Sequence, residues 1–161
     1  MTLDVSTLLV VLAVMSQMAA LSLVTNWFQR WPDRHVVMWA LALQVGAASC
    51  VLLLLRGQIP DFLSIGIANA GTLAALGITW NGARAFNGRS TRWWPVVAFP
   101  AIWMIAMEVP AIGDSLAHRI ALGSVLSLIL SLMLAWEIWA KGKDHLVWRM
   151  PFACVPALHA V

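Results

Sequence analysis

The run of residues between Asp61 and Arg84 carries no charged side chain. With a rise of about 1.5 Å per residue, a helix over this run is about 30 Å long, which matches the hydrocarbon core of a membrane. Asn69 lies inside the run, and an unpaired amide in lipid costs several kcal/mol, so we expect this side chain to face another helix. The run therefore predicts a transmembrane helix with one polar packing position.

The composition extends this prediction to the whole chain. Of its 161 residues, 11% are charged and 61% are hydrophobic. Soluble domains have about 25% charged residues, so this chain has too few to cover a globule with polar surface. The net charge of +3 does not indicate a nucleic-acid partner, because the basic residues flank apolar runs. The composition predicts an integral membrane protein whose partner is the lipid bilayer.

We predict an all-α fold, a polytopic transmembrane helical bundle that forms one domain over residues 1–161. The expected five full spans and an incomplete sixth lie at about 5–24, 36–55, 62–81, 93–109, 117–139 and 146–161. Pro100 is expected to kink the fourth span. The last run is shorter than a bilayer is thick, so we expect a C-terminally truncated chain, with a half-inserted or re-entrant tail as the alternative.

The basic residues are distributed unequally between the two sides of this predicted bundle. One side carries Arg30, Arg34, Arg84, Arg89, Arg92, Lys141, Lys143 and Arg149, and the other carries Arg56 and Arg119. The positive-inside rule places the three basic loops in the cytoplasm and the N-terminus outside. Nine tryptophans cluster at the basic side, as expected for an interfacial belt, and Trp103 alone lies away from it.

Small residues at spacings of three and four form two packing seams. The first consists of Gly66, Ala70, Ala74 and Gly77, and the second of Gly123, Ser127, Ser131 and Ala135. Small side chains let two helix backbones approach closely. We therefore expect the two seams to pack against each other.

A few polar residues are candidates for a ligand site. Gln17, Gln44 and Asn69 are expected either to bond across helix interfaces or to line a cavity between helices. Asp61, Glu108 and Arg119 lie on the predicted outer side and are candidates for the mouth of such a cavity. All seven acidic residues, including Glu137, fall near predicted membrane interfaces, where we expect them to be solvated.

No motif in the sequence predicts catalysis. There is no Gly-rich phosphate loop, no HExxH, no GxSxG and no intramembrane carboxylate pair. Cys50 and Cys154 stand singly in apolar runs and are expected to be buried, inert thiols. His118 and His159 are one conceivable haem pair, but ordinary interfacial histidines are the favoured interpretation. We predict no catalytic residue, no metal ligand and no cofactor.

Several segments resemble a known family. They are LDVSTLLVVLAV, RGQIPDFLSIGIANA, WNGARAFNGR with RWWP, WEIWAKGK and RMPFACVPALHAV. Together they resemble the N-terminal membrane region of bacterial GGDEF-domain diguanylate cyclases. The resemblance implies a sensory region in the inner membrane, paired as a homodimer, that controls a cytoplasmic domain condensing two GTP into cyclic di-GMP. This chain has no GGDEF motif, so no catalytic residue carries over.

The predicted function is therefore that of a membrane sensory module. In this hypothesis a shift of packing along the Gly66 and Gly123 seams changes how cytoplasmic domains pair. One alternative is a small multi-pass transporter, which would show repeated halves and a broken helix around a midplane site. The other is a structural membrane subunit that packs against a partner.

Overall fold

The computed structural model describes residues 5–29 and 33–140, and every regular element in these ranges is a helix. The elements are α1 (Val5–Gln29), α2 (Arg34–Leu54), a π-helix (Phe62–Ile67) that leads directly into α3 (Ala68–Phe86), α4 (Trp94–Met107), the short α5 (Pro110–Gly113) and α6 (Leu116–Ala140). The all-α prediction is confirmed for these residues.

Four helical stretches are long and apolar enough to cross a membrane. They are Thr7–Thr25, Arg34–Leu54, Phe62–Phe86 and Leu116–Trp139. The predicted fourth span is a helix of 14 residues that continues through Pro100. It is about 21 Å long, shorter than a hydrocarbon core of about 30 Å, so the count of five full spans is not confirmed. The predicted sixth span, 146–161, lies outside the described residues.

Helix α3 is the centre of the bundle. It contacts α2, α4 and α6, whereas the contacts of α1 within the described part of the chain are with α2. The largest buried cluster includes Leu73, Phe99, Trp103 and Leu130, contributed by α3, α4 and α6. Many large apolar side chains on the outer surface are exposed, such as Met18 at 68%. Such a surface suits lipid, and it fits a membrane protein.

The glycines of the two predicted seams face the same helix rather than each other. A Cβ on Gly77 would lie 3.1 Å from the Cα of Val96 in α4, and Gly66 also faces α4. A Cβ on Gly123 would lie 3.4 Å from the indole ring of Trp103, again in α4. The expected direct seam-to-seam packing is therefore replaced, at these glycines, by contact with α4.

A further glycine stripe on α3 faces α2, and it was not among the predicted packing seams. A Cβ on Gly71 would overlap the Ser49 hydroxyl, and a Cβ on Gly82 would overlap the Trp39 indole. The two glycines are three helical turns apart and so lie on one face. These positions let α2 approach α3 closely.

A hydrogen bond from a residue of α4 stabilises the π-helix at Phe62–Ile67. The Trp103 indole N–H donates a hydrogen bond of 3.1 Å to the carbonyl oxygen of Gly66, and the Trp103 side chain is 2% exposed. A buried indole N–H needs such an acceptor. Because π-helical turns occur frequently at functional sites, the surroundings of this segment are the first place to seek one.

Candidate functional site

A groove with a volume of about 490 Å³ lies beside the π-helix, between α2, α3, α4 and α6. Its polar lining residues are Arg56, Asn69, Arg119, Ser124, Ser127 and Ser131. Leucine, isoleucine, glycine and tryptophan residues complete the walls. The volume falls within the range of about 300–1,000 Å³ that is typical of ligand sites. We call this space the polar groove.

Two arginines stand at one end of the polar groove. Arg56 follows the end of α2, and Arg119 lies in the first turn of α6. Arg119 donates one N–H to the carbonyl oxygen of Gly113 over 3.0 Å, which leaves further N–H groups on its guanidinium. The described residues that line the groove include no acidic side chain, and neither arginine forms an ion pair within the described part of the chain. This end of the groove is therefore positively charged.

The interior of the groove has polar atoms whose hydrogen-bonding capacity is not used. The Asn69 side-chain N–H donates to the carbonyl oxygen of Ile65 over 2.7 Å, so the amide bonds within its own helical stretch and not across an interface. Ser131, farther along α6, is 3% exposed, and its hydroxyl has no hydrogen bond to any described residue. Because buried hydroxyls are nearly always hydrogen-bonded, the Ser131 end of the groove suits a ligand with a polar group that can bond to this hydroxyl.

The other predicted amides lie elsewhere. Gln17 of α1 and Gln44 of α2 donate side-chain hydrogen bonds to each other, both of 3.0 Å. Neither residue lines the polar groove. These two amides thus join α1 to α2, which is the interhelical arrangement expected as one of the two interpretations.

The remaining candidates are brought together only in part. Arg119 lines the groove, whereas Asp61 and Glu108 are exposed and do not. His118 is exposed and its Nδ1 lies 2.8 Å from the carbonyl oxygen of Ala111. Cys50 is half-buried in α2. Cys154 and His159 lie outside the described residues.

A second polar centre lies where α3 and α6 end. Glu137 is 2% exposed, and Arg84 and Arg89 place guanidinium nitrogens 3.3 Å and 2.9 Å from its carboxylate oxygens. Asn87 donates a further hydrogen bond of 2.7 Å to the backbone carbonyl of Glu137. The prediction that Glu137 is solvated is wrong. We call Arg84, Arg89 and Glu137 the charge cluster.

The local sequence folds the two arginines toward each other. Gly88 has φ of +68°, a conformation that glycine adopts without steric cost, just after the end of α3. The Arg89 N–H then donates to the Arg84 carbonyl over 2.8 Å, and the Gly88 N–H to that of Ala85 over 3.0 Å. This pair of bonds is the Schellman motif, which satisfies the last carbonyls of a helix. It returns the chain so that Arg89 lies beside Arg84.

Other contacts hold the loop between α3 and α4. The Arg84 Nε–H donates to the carbonyl of Ser90 over 3.0 Å, and its guanidinium carbon lies 4.9 Å from the ring centroid of Trp80. Asn81 exchanges hydrogen bonds of 2.8 and 2.9 Å with the backbone of Arg92. In the sequence, these arginines served only as markers of orientation. The signal for their partner is that Glu137 is the sole acidic residue in the apolar run of α6.

The fold and these two centres define a helical membrane protein with a polar groove at one end and a charge cluster at the other. Among residues 5–29 and 33–140, no three His, Cys, Asp or Glu side chains gather where they could hold a metal ion. Comparison with protein-family models, curated proteins and solved structures finds no match to the chain. The resemblance to GGDEF-associated membrane regions therefore stays a prediction.

Proposed function

We propose that this chain is a membrane sensory module in which occupation of the polar groove changes the packing of α6 against α3. The observation that carries the proposal is that both helices contribute to both polar centres. Asn69 and Arg84 lie on α3, and Ser131 and Glu137 lie on α6. A ligand in the groove therefore contacts α6, the same helix that carries Glu137.

The charge cluster is suited to report such a change. Leaving a buried charge without its partner is costly, so a broken charge cluster would lie several kcal/mol above the formed one. A ligand shifts such an equilibrium only through its different affinity for the two states. A ligand in the groove would contact α2, α3 and α6. If α6 moves relative to the other two helices, these contacts differ between the two states, and the affinity of the ligand differs with them.

In this proposal the charge cluster faces the cytoplasm of a bacterial cell, because the loop between α3 and α4 carries Arg89 and Arg92. The change at α6 would alter how two copies of the chain pair. By the resemblance of its sequence segments, the controlled output is the synthesis of cyclic di-GMP by a GGDEF domain. The coding sequence beyond Val161 tests this last step. A frame that continues into a GGDEF domain supports the output, and a stop codon overturns it.

Crosslinking in native membranes tests the coupling between the two centres. The reporter pair is Ala83→Cys with Leu134→Cys, two positions of the buried cluster that α3 and α6 share near Glu137. The control pair is Gly46→Cys with Ala75→Cys between α2 and α3, where the Cβ positions are 3.8 Å apart. Both pairs are placed in a background with Cys50→Ser and Cys154→Ser, and a short thiol-to-thiol reagent is used.

Ser127→Phe fills the groove and stands in for a ligand. We expect it to change the crosslinking rate of the reporter pair by about fivefold or more, the lower bound of usual allosteric coupling, and to leave the control pair unchanged. An unchanged rate in both pairs contradicts the proposal. A change in both pairs shows a general loss of structure, and it contradicts a specific coupling as well.

A further inference from the structure

We propose that the polar groove binds an acidic amphiphile, whose carboxylate or phosphate head lies between Arg56 and Arg119. The effect of this binding on signalling rests on the proposed function, whereas the binding itself can be measured independently of it. Arg56 lies just after the end of α2 and Arg119 lies in α6, and the contacts between elements include none between these two helices in the described residues. The anion would thus bridge two helices that make no direct contact with each other in the described part of the chain.

The charge of the groove selects the head group. Both arginines lack a carboxylate partner among the described residues, and the described lining includes no acidic side chain. The Arg84 and Arg89 guanidinium groups at the other end of the bundle, in contrast, are both paired with Glu137. A planar guanidinium can bind a carboxylate or phosphate through two parallel N–H donors. A cation at this position would meet repulsion from the two arginines, and no acidic side chain in the described lining would offset it.

The shape and walls of the groove select an elongated, partly apolar body. From Arg119 to Ser131 the lining follows α6 for about 18 Å at the rise of an α-helix. Leu53, Ile65 and Leu128 supply apolar contacts along this length. The distal end carries the Ser131 hydroxyl, which is 3% exposed and has no bond to a described residue. A ligand with a hydroxyl or carbonyl group far from its acidic head satisfies that atom as well.

Two sources can supply this chemistry, a free organic acid from the aqueous phase and the headgroup of an anionic lipid. The experiment measures equilibrium binding of radiolabelled dodecanoate to the chain in phosphatidylcholine nanodiscs, with protein-free discs as the blank. Labelled dodecanol is the uncharged control, and discs that contain phosphatidylglycerol form a second arm. Competition by phosphatidylglycerol identifies the lipid as the source, and undiminished dodecanoate binding in those discs identifies the free acid. Either result supports the inference.

The variants separate the acidic head from the apolar body. Arg56→Gln and Arg119→Gln should each weaken dodecanoate binding about tenfold, the loss expected for one charge-assisted hydrogen bond. Arg92→Gln, an exposed arginine outside the groove, should leave it unchanged. The ω-hydroxy derivative of dodecanoate should bind more tightly than dodecanoate itself, and Ser131→Ala should abolish that preference.

The possible failures are distinguishable. Equal binding of dodecanoate and dodecanol, unaffected by the two arginine variants, overturns the acidic-head inference but leaves a ligand-binding groove and hence the proposed function. Absence of binding by dodecanoate, dodecanol and phosphatidylglycerol alike overturns the inference and the ligand-binding step of the proposed function together. The crosslinking change caused by Ser127→Phe does not depend on either result.

Discussion

Arg89 places its Nη1 atom 2.9 Å from both carboxylate oxygens of Glu137, a carboxylate that lies in the last turn of α6. A negative charge at this end of a helix is opposed by the helix dipole, and its burial adds a cost of desolvation. The two arginines must offset both terms. The bond between Arg89 and Glu137 therefore ties the end of α6 to the loop that follows α3.

Glu137→Ala should lower the free energy of unfolding by about 3 kcal/mol, because it leaves the buried Arg84 charge without its partner. Glu137→Gln should lose less, since the amide oxygen still accepts a hydrogen bond. Unfolding in mixed micelles with increasing sodium dodecyl sulfate, followed by circular dichroism, measures both changes. Glu108→Ala, an exposed glutamate at the other end of the bundle, is the control and should change stability little. A loss for Glu137→Ala no larger than for this control would contradict the expectation.

The two arginines of the charge cluster should differ in importance. The Arg84 side chain is 10% exposed, whereas that of Arg89 is 32% exposed. Arg84 also bonds to Ser90 and packs on Trp80. We expect Arg84→Gln to destabilise by about 3 kcal/mol and Arg89→Gln by about 1 kcal/mol, because solvent weakens the more exposed pair. The same unfolding measurement compares the two variants. Equal losses of unfolding free energy, or a larger loss for Arg89→Gln, would refute the ranking.

Gly82→Ala should destabilise the protein by about 2 kcal/mol, because the added methyl overlaps the Trp39 indole and overpacks the contact between α2 and α3. The indole cannot move away freely, since its N–H donates to the carbonyl of Thr79 over 3.3 Å. Gly46→Ala is the matched control on the same interface. Its methyl would lie 3.8 Å from the Cβ of Ala75, an ordinary contact, so it should be neutral or gain up to about 1 kcal/mol of helix propensity.

Thermal unfolding followed by tryptophan fluorescence compares these variants. Gly71→Ala should fall between them, because the Ser49 hydroxyl that it meets can rotate, although it gives up a bond of 2.9 Å to the Val45 carbonyl. Equal stability of Gly82→Ala and Gly46→Ala would show that the α2 face of α3 is not tightly packed.

The sequence sufficed for the class of fold because the spans depend on local composition. The uncharged run from Asp61 to Arg84 is long enough to be recognised without knowledge of any neighbour, and it proves to be helical to Phe86. The short α4 is a different case. Pro95 and Pro100 lie within it, and an apolar run cannot by itself distinguish a full span from a helix of 14 residues.

The candidate site was less predictable, because partners in a helical bundle are distant in sequence. Asn69 and Arg119, two of the predicted ligand candidates, both line the polar groove, whereas Arg56 and Ser124, which also line it, were not among those candidates. Glu137 was assigned to solvent because its position near the end of an apolar run is also typical of a solvated acid. The reversal of the chain at Gly88 brings Arg89 to this carboxylate beside Arg84, and this tertiary arrangement is not visible in the local sequence.

The paired amides of Gln17 and Gln44 should show energetic coupling between α1 and α2. Both side chains are exposed at the bundle surface, so within a membrane each is the other's hydrogen-bonding partner. Gln17→Leu or Gln44→Leu alone leaves one amide unpaired in lipid, whereas the double variant replaces both with apolar groups. A double-mutant cycle should therefore give a coupling of about 0.6 kcal/mol, the average for such bonds, and at most about 1.7 kcal/mol.

Detergent-induced unfolding supplies the four free energies of this cycle. The control cycle combines Gln44→Leu with Asn69→Leu, and it should be additive, because the Asn69 amide bonds to Ile65 in its own helical stretch. The contacts of α1 in the described part of the chain are with α2, so loss of the amide pair weakens the only interface that holds α1 there. Additivity in the Gln17 and Gln44 cycle would mean that apolar packing alone attaches α1, and it would remove the amide pair from the account of this interface.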